Sequence, residues 1–99
     1  MRVVHSAAAK AQLLAVYRYI ADEANPDIAQ RYTGSILDQC EKLNSFPDRG
    51  TPRDDLRPGL RTIAFKRRVV IAYAVMEDRV LIVGIFYGGQ DFAALLTED

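Results

Sequence analysis

The run LRTIAFKRRVVIAYAVMEDRVLIVGIFYGG, residues 60–89, decides the fold. It divides into three segments, 60–65, 68–75 and 79–87, rich in the β-branched and aromatic residues that suit a pleated surface. Lys66-Arg67 and residues 76–78 are the turns between them, and Gly88-Gly89 ends the last segment. Connections this short join antiparallel neighbours, so the run predicts a three-stranded meander. Period-two alternation points Val69, Ile71, Tyr73 and Val75 one way, with Leu81, Val83 and Ile85 beside them. The opposite face carries Val70, Ala72, Ala74, Val80, Ile82, Gly84 and Phe86. That face is smaller but also apolar, where a solvated face would turn polar, so something must cover it.

Upstream the period changes from two to between three and four. Residues 2–5 form a short strand, and Ser6 is placed to cap a helix over residues 7–23. Ala9, Leu13, Val16, Ile20 and Ala24 make its apolar stripe. Asn25-Pro26 caps and opens a second helix, running to about residue 44, with Ala29, Tyr32, Ile36, Cys40 and Leu43 on its buried face. Gly34 inside it costs about 1 kcal/mol relative to alanine. So short a break predicts an antiparallel helical hairpin. Pro47, Pro52 and Pro58 make residues 46–59 a loop, and Asp91 can cap a last turn over residues 92–96. The order β-α-α-β-β-β(-α) gives an α+β fold, with the N-terminal helical hairpin on one face of an antiparallel sheet. The C-terminal turn, through Phe92, Leu95 and Leu96, or a partner chain would cover the other face.

Ninety-nine residues make a single domain, 1–99, and the 49% apolar content can fill its core. One cysteine, Cys40, allows no internal disulfide and suits a reducing compartment. Lys10, Gln12 and Arg18 interrupt any export signal, and the uncharged run 80–90 is too short to span a membrane as a helix. These features predict a soluble cytoplasmic protein without metal or cofactor. Although the chain sums to zero, residues 49–68 hold seven of the 13 basic residues against Asp54 and Asp55, a net charge of +5. A sequence pI near 6.6 argues against a general nucleic-acid coat.

Several stretches together carry a resemblance. They are Tyr17 and Tyr19-Ile20-Ala21 with Pro26, Ala29 and Tyr32; Leu43-x-x-Phe46-Pro47-x-x-Gly50; Arg53-Asp54-Asp55-Leu56-Arg57-Pro58-Gly59-Leu60-Arg61; Arg68-x-x-Ile71-x-Tyr73-x-Val75; and Ile85-Phe86-Tyr87-Gly88-Gly89-Gln90-Asp91. In order and spacing they resemble the ParE/RelE toxin superfamily, and the ParE branch most. The resemblance implies the toxin of a type II toxin–antitoxin module, associated with inhibition of DNA gyrase and neutralised by a ParD-like antitoxin. The RelE-like branch instead cleaves messenger RNA on the ribosome, and fold alone does not choose between the two.

The residues favour a binder over a nuclease. Metal-free RNA cleavage needs a base, an acid and cations around the phosphorane. Arg61, Arg68 and Tyr87 are the nuclease candidates, but a tyrosine with a pKa of about 10 is a poor base. His5 lies far away in sequence, Asp54 and Asp55 read as turn or ion-pair residues, and Cys40 as packing. The expectation is therefore a growth-arresting toxin that acts by binding, with no sequence-specific nucleic-acid contact. Its antitoxin surface is expected at Arg61, Arg67, Arg68, Val70, Ala72, Ala74, Ile82 and Phe86. Arg61 and Arg68 are the expected docking charges for an acidic amphipathic segment that orders on binding.

Overall fold

The computed structural model describes residues 2–97. Its elements are β1 (Arg2–His5), α1 (Ala7–Glu23), α2 (Pro26–Lys42), a 3-10 turn (Pro47–Arg49), β2 (Thr51–Pro52), β3 (Leu60–Phe65), β4 (Val69–Val75), β5 (Arg79–Tyr87) and α3 (Phe92–Thr97). Local chemistry accounts for the helix starts. Ser6 Oγ accepts from the Ala9 N–H at 3.1 Å, and Asn25 Oδ1 accepts from the Ile28 N–H at 2.9 Å ahead of Pro26.

The sheet runs β1-β5-β4-β3-β2. The meander β3-β4-β5 is antiparallel as expected, but β1 lies parallel to β5, with His5 beside Ile82, so the sheet is mixed. The connection from β1 to β5 spans residues 6–78, through both helices and the first strands of the meander, well beyond the length a parallel pairing needs. The proline-rich loop also adds β2, whose two residues pair with Thr62 and Arg61.

The two faces differ from simple alternation in β5. Ala72 faces Gly84 and Tyr73 faces Ile82, so Val83 is an extra residue, a β-bulge. One inserted residue reverses the facing of every side chain before it. Val80 and Ile82, expected on the outer face, are fully buried under the helices with Val69, Ile71, Tyr73 and Ile85. Val83, expected inward, packs on the outer face with Leu60, Ala72 and Phe86. Ser6 secures the bulge, giving its N–H to the Ile82 carbonyl and its hydroxyl to the Val83 carbonyl, each at 2.9 Å. Gln12 Oε1 accepts from the Ile85 N–H at 2.7 Å. A Cβ at Gly84 would come within 2.6 Å of the Phe86 ring, which would have to move to admit it.

The helices bury Ala9, Val16, Ile20, Ala29, Ile36, Cys40 and Leu43 against the inner face. Burial pushes the Cys40 thiol up to about 12, which leaves it inert as a nucleophile. On the outer face α3 lays Leu96 and Phe92 over Phe86 and Ala72, and Arg57 Nε holds it through the Leu96 carbonyl at 2.7 Å. The tail thus supplies part of the cover.

Tyr73, wholly buried, ties the long loop to the sheet. Its hydroxyl accepts from the Gly50 N–H and donates to the Pro47 carbonyl, both at 2.8 Å, and Gly50 has no room for a Cβ. Tyr73→Phe leaves both backbone groups without this partner. It is expected to cost about 1–3 kcal/mol of unfolding free energy in a denaturant titration.

Candidate functional site

The basic zone separates into arginines held by the protein and cations left free. Arg53 forms a bidentate pair with Asp55 at 3.0 Å and lies 5.6 Å over the Phe92 ring. Asp54 closes the loop by accepting from the Gly59 N–H at 2.8 Å. Arg57 is engaged with α3. Arg61 donates to the carbonyls of Gly50 and Asp48 at 2.8 and 3.1 Å, and its other terminal nitrogen lies 3.8 Å from the Asp48 carboxylate. The guanidinium expected to dock a partner is therefore occupied in shaping the loop that Tyr73 anchors. Among the described residues, Arg49, Lys66, Arg67 and Arg68 make no ion pair or side-chain hydrogen bond.

Three of these four cations form the tip of the β3–β4 hairpin. Lys66 and Arg67 sit at φ 54° and 66°, a region that favours glycine and asparagine. The tip is fastened by bonds from the Arg68 N–H to the Lys66 carbonyl at 2.7 Å and from the Gly88 N–H to the Arg68 carbonyl at 2.8 Å. Such backbone strain costs about 1–3 kcal/mol per residue. The chain thus places two long cations where smaller residues fit better.

Under the tip lie three tyrosines from three elements. Lys66 Nζ is 5.2 Å from the Tyr32 ring centre and 5.6 Å from that of Phe65. Tyr32 meets Tyr87 edge-on at 5.8 Å, and Tyr19, 56% exposed, lies 5.9 Å from Tyr87 on its other side. A cleft of about 250 Å³ opens between Tyr19, Arg68, Tyr87 and Gly88, and one of about 220 Å³ between Ile28, Arg31, Tyr32 and Lys66. Burial, and then the neighbouring Tyr87, raise the Tyr32 pKa, against the opposing pull of Arg68. The Tyr32 hydroxyl is shut from solvent with no hydrogen-bond partner among the described residues. Exposed tyrosine beside a free arginine is a composition enriched in protein-binding hot spots.

The three nuclease candidates do not come together. Arg68 and Tyr87 line one cleft, but Arg61 pairs with Tyr73, four positions along β4 from the Val69 that pairs with Tyr87. At about 3.3 Å per residue that is about 13 Å. His5, its pKa lowered chiefly by burial, lies on β1 opposite Ile82.

The expected antitoxin residues are likewise divided. Val70, Ala72, Ala74 and Phe86 do share the outer face, as their pairing and packing show. Ala72 and Phe86 lie buried in the cluster that α3 joins, while Val70 and Ala74 stay half-exposed. Ile82 is on the other side of the sheet, turned there by the bulge. Sequence reasoning missed the meeting of Tyr19, Tyr32 and Lys66. The available signal was Tyr19, a large aromatic lying off the apolar stripe of α1.

A family model described as the ParE toxin of the type II toxin–antitoxin system parDE matches residues 3–92. Toxin ParE3 of Caulobacter vibrioides is 32% identical over 95 residues, which cover 96% of this chain and 94% of the relative. A solved chain described as from the chromosomal ParDE TA system of P. aeruginosa superposes with a TM-score of 0.78. The match spans 89% of this chain and 96% of that one at 24% identity, a likeness of fold.

The strain at the hairpin tip yields a test. Replacing Lys66→Asn together with Arg67→Gly suits the backbone better and removes two charges. The pair is expected to raise unfolding free energy by about 1–2 kcal/mol in a denaturant titration, where surface lysine and arginine changes are ordinarily neutral.

Proposed function

The chain belongs to the ParE toxin family of type II toxin–antitoxin systems, and from that membership we propose that it arrests growth by binding and inhibiting DNA gyrase in the cytoplasm. It does so without chemistry of its own, and a ParD-like antitoxin neutralises it. One observation carries the preference for binding. The free cations Lys66 and Arg68 border a tyrosine cluster, while Arg61, needed by any nuclease built on Arg61, Arg68 and Tyr87, is engaged about 13 Å away along the sheet. The antitoxin surface that fits this arrangement is Arg67 and Arg68 with the half-exposed Val70 and Ala74. An acidic segment disordered when free and ordered on this surface would bind less tightly as salt rises. Among the described residues no helix is long and apolar enough to cross a membrane.

The second reading, a RelE-like ribosome-dependent endoribonuclease, rests on the cleft shared by Arg68 and Tyr87. Two assays separate the readings. Purified toxin added to gyrase is expected to abolish supercoiling of relaxed plasmid. Primer extension on translated messages is expected to show them intact. Active gyrase together with codon-linked cuts that vanish in Tyr87→Phe would assign the chain to the nuclease branch.

A further inference from the structure

The sheet treats its exposed backbone unevenly. Beyond the end of β1, the open side of β5 is closed by side chains: Ser6 on the Val83 carbonyl, Gln12 on the Ile85 N–H and Gln90 on the Tyr87 N–H. The short β2 is blunted by Pro52, which has no N–H to offer. Among the described residues no such device protects β3. β2 pairs only with Thr62 and Arg61, so Ile63, Ala64 and Phe65 have no strand on that side.

The direction of the unpaired groups follows from the ladder. The Leu60 carbonyl bonds outward to the Arg53 N–H at 2.7 Å, so Leu60 turns its polar groups away from β4. Alternation along an antiparallel strand does the same for Thr62 and for Ala64. Thr62 meets β2, whereas the N–H and C=O of Ala64 point into the open. Ala64 is exposed and its methyl group shields nothing. Lys66, which could have masked the edge, folds back over Tyr32 and Phe65.

We propose that this edge of β3 receives an extended acidic segment of the antitoxin as an added strand, beside Thr51 and running toward the hairpin tip. The inference rests on the family reading of an antitoxin partner. Charge selects both the edge and the occupant. The outer edge of β1 is also unpaired, but its surroundings are mixed, since Lys10 and Glu41 both act on His5. The edge of β3 ends at Lys66, Arg67 and Arg68, none of which has an acidic partner among the described residues. Backbone pairing supplies the attachment, and the cations set polarity and register for a chain bearing carboxylates.

Amide hydrogen exchange on ¹⁵N-labelled toxin tests this, with the toxin measured refolded alone and then in complex with its co-purified antitoxin. In the free toxin the Ala64 amide is expected to exchange fast, while Ile63 and Phe65, which face β4, are protected. In the complex the Ala64 amide is expected to slow by at least about a hundredfold and to show cross-strand NOEs to antitoxin backbone protons. A complex in which Ala64 still exchanges fast, or slows without cross-strand NOEs, overturns the added strand and leaves the antitoxin reading standing. Failure of any complex to form overturns the antitoxin reading, and the strand with it.

Discussion

At Val83 the ladder between β4 and β5 carries one residue more on β5 than on β4, and the carbonyls of Ile82 and Val83 both turn to Ser6. Ser6 meets the first with its N–H and the second with its hydroxyl, while the hydroxyl oxygen accepts the Ala9 N–H. One small side chain thus ends β1, starts α1 and closes the bulge. The facing of β5 follows from that junction. Val80 and Ile82 go under the helices, and Val83 joins Phe86 beneath α3. Without the extra residue, Leu81 and Val83 would face the helices and the two cores would exchange partners.

Much of this fold was legible because its signals are local. Ser6, Asn25 and Pro26 state where the helices begin, within four residues of the groups they cap. The turns of the meander are written in its charged and polar interruptions. What could not be read depends on groups far apart in sequence. The Ser6–Val83 bond spans 77 positions, and nothing near Val83 announces a bulge except Gly84, which also passes for a simple weak point in a strand. The parallel docking of β1 on β5 has the same character. So does the bond from Arg57 to the Leu96 carbonyl, whose partners stand 39 positions apart.

The site shows the same division. Concentrated positive charge was plain from composition, but its disposal was not. Arg61 looks as available as Arg68 in the sequence, because the carbonyls that hold it, at Asp48 and Gly50, reach it only when the loop folds over Tyr73. Lys66 and Arg67 carry a different kind of information. A hairpin tip at positive φ is ordinarily the place for small residues, and here it holds two cations, Lys66 of them over aromatic rings, at some cost in strain. Retaining charge where conformation disfavours it fits a surface shaped for encounter with an acidic partner.

The central position of β5 also has a consequence in time. This strand pairs with both β1 and β4 and receives α1, yet it is the last strand to be synthesised. At about 5–20 residues per second, roughly 4–15 s separate the making of Ser6 from that of Val83. Through that interval the helical hairpin has no finished sheet beneath it, and β1 has no neighbour. A message cut short before the codon for Val83 therefore yields a chain that cannot close its core. A closed core becomes a property of completed translation.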